Sequence, residues 1–256
     1  MFKHAIVRTP GKNFAQGLTT VDLGTPDFEK VLQQHAAYCD ALSYCGLQVT
    51  TLPVDPENPD STFVEDTAVL TAYSAMLTRP GATSRATEVD AIREVVGKFF
   101  PALQQIQAPG TLDGGDICEA ENHFFLGLSH RTNEEGARQL AAHLESHGHT
   151  TTLVDVRPIS TILHLKSGVS YIGDRTLVLI PELASHPSFR GYETILVARQ
   201  ESYAANCVRV NDHLLVPAGY PLLTAELRAR GFHPLELAMS EFQKMDGGLS
   251  CLSLRF

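Results

Sequence analysis

The chain has no CxxC pair, no HExxH spacing and no apolar stretch near the roughly 20 residues of a membrane span. Without such cysteine or histidine spacings, we expect no bound metal. No GxGxxG or Walker-type glycine loop is present, so we also expect no nucleotide cofactor. The N-terminal MFKHAIVRTP has neither the apolar core nor the small-residue cleavage site of a signal peptide. These absences predict a cofactor-free cytoplasmic protein without a membrane partner.

The chain also has no basic run, and its 29 acidic residues outnumber its 20 lysines and arginines, giving a net charge of −9. Binding to duplex nucleic acid usually requires a basic stripe, so we expect no nucleic-acid partner. An acidic balance suits a cationic small molecule, although many acidic proteins bind none. The cysteines are odd in number and widely spaced, which is typical of free thiols in a reducing compartment. They are Cys39, Cys45, Cys118, Cys207 and Cys251.

A repeat organises the chain. Two strand-like segments joined by a short polar turn recur four times, as TAVLTAYSAMLT, DICEAENHFFLGL, GVSYIGDRTLVLI and CVRVNDHLLVPAG. A helical stretch and a further short strand follow each pair, at a period of roughly 40 to 50 residues, which is typical of blades around an axis. The terminal segments CLSLRF and HAIVRTP would together complete a fifth blade. The sequence therefore predicts an α/β propeller of strand-strand-helix-strand units in one domain, residues 1–256.

Apolar spacing near 3.6 residues places the helices at 27–45, 84–99, 133–148, 182–189 and 221–230. The fourth is short and interrupted by proline. Short strands are predicted after them at LQVTTLP, LQQIQAP, TTLVDV, TILVA and HPLEL. Two-residue hairpin turns are predicted at Glu121–Asn122, Gly173–Asp174 and Asn211–Asp212.

Candidate nucleophile and anion-binding residues stand beside the predicted strands. Cys251 follows the pair Gly247–Gly248 in MDGGLSCLSLRF, and glycines allow close backbone approach to a ligand. A thiol nucleophile needs a histidine nearby in space, and His164 in ILHLKSGVS is a candidate. Taken singly, both residues fit a hydrophobic core equally well. Arg85 and Arg131 each fit an exposed surface, but together they could bind one carboxylate.

Acidic residues cluster in two further segments. Asp113 and Asp116 flank a glycine pair in APGTLDGGDICE, which alone fits an ordinary turn. Asp60, Glu65 and Asp66 precede a strand in PDSTFVEDTAVL, which alone fits a solvated loop. Closely placed carboxylates also match a guanidinium through paired, charge-assisted hydrogen bonds. The segments therefore favour a site for a guanidinium cation without requiring one.

In these segments the chain resembles the dimethylarginine dimethylaminohydrolases, a family of the guanidino-group-modifying superfamily that also includes arginine deiminases. The matching segments are RTP, PDSTFVEDT, TRPGATSR, GTLDGGDI, FFLGLSHRTNEEGA, HLKSG, SYAANCVRVN, VPAGYP and MDGGLSCLSLRF. They run from Arg8 to Phe256, so the resemblance covers nearly the whole chain. It implies a five-bladed α/β propeller with the active site on its axis, in agreement with the repeat.

The resemblance also implies roles for individual residues. The implied catalytic residues are the nucleophile Cys251, the general acid/base His164 and the carboxylate Asp113. The implied substrate-binding groups are the Leu18 carbonyl, Asp60, Glu65, Asp66, Arg85, Arg131 and the Met245 carbonyl. Some bacterial relatives have glutamate at the position of Asp113, so this carboxylate is expected to reach less far. The segment NFAQGLTT around Leu18 would form a mobile flap.

The implied reaction is hydrolysis of asymmetric dimethyl- or monomethyl-L-arginine to citrulline and an amine, with the methylated arginine as the partner and a homodimer as the assembly to test. An alternative is an arginine deiminase-like hydrolase of unmethylated arginine. That family normally has a longer glycine run with histidine before its nucleophile, whereas this chain has DGGLSC. A second alternative is an amino-acid-binding propeller that has lost catalysis.

Overall fold

The computed structural model describes residues 1–256, and its strands form five separate three-stranded sheets. The strands are β1 (His4–Arg8), β2 (Gln48–Leu52), β3 (Ala68–Leu70), β4 (Ala75–Leu77), β5 (Leu103–Gln105), β6 (Ile117–Ala120), β7 (His123–Leu128), β8 (Thr150–Asp155), β9 (Val169–Gly173), β10 (Thr176–Leu179), β11 (Glu193–Leu196), β12 (Val208–Val210), β13 (His213–Pro217), β14 (Pro234–Leu237) and β15 (Leu254–Arg255). The helices are α1 (Phe28–Tyr44), α2 (Glu88–Val96), α3 (Glu134–Ser146), α4 (Pro221–Ala229) and α5 (Ser240–Gln243).

Every sheet has the same internal order. Its central strand pairs antiparallel with one neighbour and parallel with the other, as β7 does with β6 and β8. The antiparallel pair is a hairpin in four of the sheets, and the parallel partner is reached through a crossover segment. In the fifth sheet β1 pairs antiparallel with β15 and parallel with β2, so the two chain ends share one blade. The predicted five-bladed α/β propeller is confirmed.

The hairpin turns show the backbone geometry that short turns need. Glu121 and Asn211 have φ of 60° and 55°, within predicted turns. The predicted turn at Gly173–Asp174 is wrong by one residue, because β9 extends to Gly173 and the turn consists of Asp174 and Arg175. Both of those residues have positive φ, at 49° and 54°, as a two-residue type I′ turn requires.

Capping residues explain where two of the helices begin. The side chain of Asp27 accepts hydrogen bonds from the backbone N–H groups of Glu29 and Lys30 at the start of α1. Asn133 accepts from the Gly136 N–H in the same way at the start of α3. These predicted starts are confirmed. The second helix begins later than predicted, because a 3-10 turn at Thr83–Arg85 precedes α2.

The fourth predicted helix is wrong. Two 3-10 turns, Pro181–Leu183 and Pro187–Phe189, occupy its place before β11. The two turns do not join into one helix, because Pro187 has no backbone N–H to donate to a carbonyl of the first turn. The structure also contains elements that were not predicted, namely α5 and a 3-10 segment at Arg199–Ala205.

Apolar side chains of the sheets and helices pack into several buried clusters. The largest cluster includes Val178, Leu214 and Leu227. The first strands of the blades surround the axis, where they enclose a cavity of about 500 Å³, called here the axial cavity. None of the helices combines the length and apolar character needed to cross a membrane. The loops that precede the first strands meet at one end of this axis, and they build the candidate site.

Candidate active site

A second, smaller cavity of about 30 Å³, called here the substrate cavity, lies where the loops before the first strands converge. It shares no lining residue with the axial cavity. Its lining consists of Leu18, Asp60, Phe63, Asp66, Arg85, Arg131, Leu163, His164, Met245, Asp246, Gly247 and Cys251. All of the predicted site residues except Asp113 and Glu65 are therefore brought to one cavity, although the chain separates them widely.

Cys251 stands in a tightly packed turn directly before β15. The turn follows Asp246, whose φ is 57°, and its thiol accepts a hydrogen bond from the Gly248 N–H at 3.4 Å. A Cβ at Gly247 would lie 2.3 Å from the Phe63 ring, and one at Gly248 would lie 2.6 Å from Asn206. The glycine pair is thus required by close packing of the turn, and the half-buried residue Cys251 lines the substrate cavity.

His164 forms an ion-pairing hydrogen bond with Asp113. Its Nε2 lies 3.0 Å from Asp113 Oδ2, and both side chains are buried. Asp113 also accepts a hydrogen bond from the Gly81 N–H at 2.8 Å. A Cβ at Gly115 would lie 2.7 Å from His164 Nδ1, so the glycine makes room for the imidazole. Asp113 therefore stands behind His164, which explains its absence from the cavity lining.

Asp66 and Arg85 form a buried ion pair at the same cavity. Arg85 Nη1 lies 2.5 Å from one Asp66 oxygen, and the Gly115 N–H donates to the other at 2.8 Å. The remaining side of Arg85 is bonded to Glu88 through Nε and Nη2. Most donors of Arg85 are thus already satisfied within the protein. Arg131, by contrast, is partly exposed, and its Nη1 lies 3.8 Å from Asp113.

Glu65 does not face the substrate cavity as expected of a substrate-binding residue. It lines the axial cavity, where Lys166 Nζ lies 2.5 Å from Oε1 and Ser250 Oγ donates to Oε2 at 2.8 Å. Arg255 lies 3.6 Å away. The Glu65 carboxylate is therefore held by cations on the side of Cys251 that is turned away from the substrate cavity.

The flap segment around Leu18 covers the substrate cavity. The Leu18 N–H donates to both Asp60 oxygens, at 3.0 and 3.2 Å. A Cβ at Gly17 would lie 2.4 Å from Asp60 Oδ1, so a glycine is needed for this approach. Thr20 donates from its N–H and its hydroxyl to Asp246, at 2.5 and 2.9 Å. The flap is thus hydrogen-bonded both to a predicted binding residue and to the turn that carries Cys251.

The charges around the site favour a neutral thiol beside a protonated imidazole. Burial, together with the carboxylates of Glu65 and Asp66, raises the pKa of Cys251 to about 12. Burial alone would lower the pKa of His164, but Asp66, Asp116 and Asp113 outweigh it and raise this pKa to about 9. Burial disfavours the charged form of Asp66 as well, yet His164 and Arg85 hold its pKa at about 2.

We therefore expect Cys251 to remain a thiol at neutral pH until a guanidinium cation binds beside it and lowers its pKa. Thiolate ultraviolet absorbance, followed against pH with and without an alkyl-amidine analogue of arginine, measures this change. Bound analogue should shift the titration to lower pH in the wild type and leave no such signal in Cys251→Ser. A thiolate fully ionised at pH 7 in the free protein contradicts the expectation.

Three site groups could approach one metal ion, since ligand atoms of Asp66, Asp113 and His164 lie within 4.8 Å of one another. Arg85 and the Gly115 N–H already occupy the oxygens of Asp66, however, and Nε2 of His164 is bonded to Asp113. These contacts account for the cluster as a network of charge-assisted hydrogen bonds.

Two buried residues without a predicted role connect the site loops. Asp116 accepts from the Leu165 N–H at 2.9 Å, and its other oxygen accepts from Ser129 Oγ and Thr132 Oγ1 at 2.7 and 2.6 Å. It thereby joins the turn that follows His164 to the loop that carries Arg131. Asn206 joins the turns of Cys251 and His164. In the sequence, Asp116 stands out only as part of a glycine-containing turn, and Asn206 only within the matching segment SYAANCVRVN.

Comparison with known proteins agrees with this site. The family model described as arginine deiminase matches residues 59–209. The chain is 45% identical to N(G),N(G)-dimethylarginine dimethylaminohydrolase from Pseudomonas aeruginosa over all of both chains, and 38% identical to the Streptomyces coelicolor protein of the same name, over 99% of this chain and 96% of that one. A crystal structure of the Pseudomonas protein, a cysteine-to-serine mutant complexed with citrulline, superposes with a TM-score of 0.97 over all of both chains.

The N-terminal domain of ArgZ, an arginine dihydrolase, shares the fold, with a TM-score of 0.85 at 17% identity over 100% of this chain and 97% of that one. The fold and the thiol-imidazole-carboxylate site define a hydrolase of the guanidino-group-modifying superfamily. Within it, the chain belongs to the dimethylarginine dimethylaminohydrolase family.

Proposed function

We propose that this protein hydrolyses asymmetric dimethyl- and monomethyl-L-arginine to L-citrulline and dimethylamine or methylamine. The proposal assigns the reaction to a single catalytic domain, residues 1–256, with Cys251 as nucleophile and His164 as acid and base. Its main support is the convergence of a thiol, an imidazole and buried carboxylates on one cavity. The citrulline complex of the Pseudomonas relative supports the same kind of ligand for this chain.

The substrate is a cation at one end and an amino acid at the other, and the cavity offers partners for both. The Asp66 carboxylate, whose oxygens keep free lone pairs beside their bonds to Arg85 and the Gly115 N–H, binds the guanidinium and holds its plane beside the thiol, which is the positioning contribution to the rate. Asp60 and the Leu18 carbonyl bind the α-ammonium group. Arg131 binds the α-carboxylate with the donors that Asp113 leaves free, and Arg85 contributes its remaining Nη1 donor. The Met245 carbonyl completes the wall beside Cys251.

Glu65 acts on the reaction from outside the substrate cavity. Burial is the largest cause of the raised pKa of Cys251, and the Glu65 carboxylate is the second. Glu65 also accepts a hydrogen bond from Ser250, the residue before the nucleophile. Its contribution to substrate binding is therefore electrostatic rather than a direct hydrogen bond, since its carboxylate lines the axial cavity and not the substrate cavity.

When the cation binds, the Cys251 thiol releases its proton to solvent, since His164 is already protonated, and in the first chemical step the thiolate forms a bond to the central guanidinium carbon. The resulting tetrahedral adduct collapses as the bond to the methylated nitrogen breaks, and the imidazolium of His164 protonates that nitrogen. Protonation is required because an amine is a poor leaving group as its anion. The products of this step are neutral dimethylamine and a covalent thiouronium held on Cys251.

In the second step His164, now neutral, removes a proton from a water molecule that attacks the thiouronium carbon. The carbon–sulfur bond breaks, the remaining hydroxyl proton passes to the departing sulfur, and the carbon keeps the water oxygen as the ureido carbonyl of citrulline, so Cys251 is restored as a thiol. Asp113 stabilises the imidazolium through its 3.0 Å contact and orients the ring in both steps. Acid and base are thus the same residue in successive protonation states.

Citrulline formation from dimethylarginine tests the proposal directly. We expect the purified protein to form citrulline and dimethylamine in equal amounts, with kcat/KM for dimethylarginine at least about 10-fold above that for arginine. Colorimetric citrulline measurement and chromatographic amine measurement provide the two readouts. Faster turnover of unmethylated arginine, with ammonia as the second product, would instead assign the chain to the arginine deiminase activity.

A binding protein without catalysis would behave differently from either hydrolase. It would bind dimethylarginine in calorimetry, release no citrulline, and bind equally well as wild type and as Cys251→Ser. Equal amounts of citrulline and amine from the wild type exclude this alternative.

A cytoplasmic location completes the proposal, and a homodimer is the assembly to test. The five free cysteines support a reducing compartment, and the cavity needs no residue from a second chain to hold its predicted groups. Light scattering coupled to size exclusion measures the assembly, and a monomer mass would refute the dimer without affecting the proposed reaction.

A further inference from the structure

Asn206 lies between the two turns that carry the proposed nucleophile and the proposed acid/base. The nucleophile turn comprises residues 247–252 and the acid/base turn comprises residues 164–167. Asn206 is buried, follows the 3-10 segment Arg199–Ala205 and does not line the substrate cavity. A contribution of this side chain to the reaction would therefore act through the turns and not through contact with substrate.

Both ends of the Asn206 amide are used. Its Oδ1 accepts from the Ser250 N–H at 3.0 Å. Its Nδ2 donates to Ser250 Oγ at 3.0 Å and to the Lys166 carbonyl at 3.0 Å. One planar group thus bonds the residue directly before Cys251 and a residue two positions after His164. Because the amide is planar and buried, a shift of one turn requires a shift of the other or the loss of a buried hydrogen bond.

The packing around the amide leaves it little freedom. A Cβ at Gly248 would lie 2.6 Å from the Asn206 Cγ and Oδ1, so the nucleophile turn is in close contact with the amide plane. A second connection between the turns runs through Glu65, which binds Lys166 Nζ and Ser250 Oγ. Glu65 also changes the pKa of Cys251, whereas Asn206 carries no charge. Replacing Asn206 therefore separates the geometry of the turns from their electrostatics.

We propose that Asn206 is a positioning residue for the reaction described above, which holds the Cys251 thiol at its working distance from the His164 imidazole. This inference rests on the proposed function. The groups that bind the guanidinium and the α-carboxylate, Asp66 and Arg131, are not bonded to Asn206. Loss of the amide should therefore slow the chemical steps and leave substrate binding intact.

The test compares Asn206→Ala with the wild type and with Ser170→Ala. A misplacement of about 1 Å between reacting groups costs about 100-fold, so we expect kcat of Asn206→Ala to fall about 10- to 100-fold. KM should stay within about twofold, and the pH profile of kcat/KM should keep its midpoints, because no charge has changed. Ser170 is the matched control, since its hydroxyl bonds the backbone of Ala205 and Cys207 on both sides of Asn206 without touching either turn.

Three results would overturn the proposal: a kcat within about twofold of wild type in folded Asn206→Ala, an equal fall in Ser170→Ala, or a rise in KM alone. Thermal unfolding of each variant sets an assay temperature at which all are folded. Asn206→Leu has nearly the same size, carries no charge and loses the acceptor and both donors, so it substitutes if the alanine variant does not fold. Its kcat should fall similarly, and a wild-type kcat would also refute the role. Citrulline formation by the wild type alone tests the proposed function. The ratio of kcat in the variant to kcat in the wild type tests the positioning role of Asn206.

Discussion

Replacing Cys251 by serine is expected to lower citrulline formation from dimethylarginine by at least about 10⁴-fold. A serine hydroxyl is far less ionised than a thiol, and its alkoxide would be opposed by the same Glu65 and Asp66 charges that raise the pKa of Cys251. The substrate should still bind, because the groups assigned to binding it are unchanged. Steady-state citrulline assays measure the loss, and calorimetry measures the retained binding.

Cys39→Ser is the matched control for this prediction. Cys39 is also a free and partly exposed cysteine, but it lies in α1 beside His35 and outside the substrate cavity. Its replacement should leave turnover within about twofold of wild type. If Cys251→Ser kept more than about one tenth of the wild-type rate, covalent catalysis through Cys251 would be wrong.

Replacing His164 by glutamine is expected to lower kcat for dimethylarginine by about 10²- to 10⁴-fold, the range attributed to general acid–base catalysis. Glutamine cannot protonate the departing amine or deprotonate water. A substrate with a better leaving group separates the two functions. With S-methyl-L-thiocitrulline, methanethiol leaves without needing a strong acid, so the variant should form the covalent thiouronium on Cys251 but hydrolyse it slowly.

Intact-protein mass spectrometry measures this adduct as the ligand mass less methanethiol. His123→Gln serves as the control, because His123 is a partly exposed histidine bonded to Thr150 on another part of the propeller. It should turn over both substrates at the wild-type rate. A His164→Gln variant that releases citrulline as fast as wild type would remove His164 from the mechanism. In the wild type, kcat/KM should rise with pH, because Cys251 must lose its proton to react, and should level off above about 9, where His164 loses the proton that it donates.

Much of the fold followed from local chemistry in the sequence. The strand pairs have alternating or continuous apolar residues bounded by turn residues, and their pairing partners are adjacent in the chain, so each hairpin is specified locally. The start of α1 was predictable because Asp27 is a strong N-cap residue. The 182–189 segment does not form the predicted helix despite its apolar spacing, because Pro187 within it has no backbone N–H to donate.

The candidate residues were predictable from their segments, but the cavities they face were not. Glu65 and Asp66 are adjacent in the 3-10 helix Val64–Thr67, in which successive side chains point about 120° apart. Asp66 therefore lines the substrate cavity while Glu65 lines the axial cavity. The bond between Arg85 and Asp66 could not be predicted either, because no local pattern connects these two residues.

By itself, the sequence determined the four blades built on hairpins and the segments that carry polar chemistry, because these depend on residues close together in the chain. Only the tertiary structure decided that Cys251, His164 and Asp66 share one cavity, that Asp113 stands behind the imidazole, and that Asn206 joins two turns. Closure of the ring by β1 and β15 brings these groups together, and the distances between them depend on how every blade packs against its neighbours.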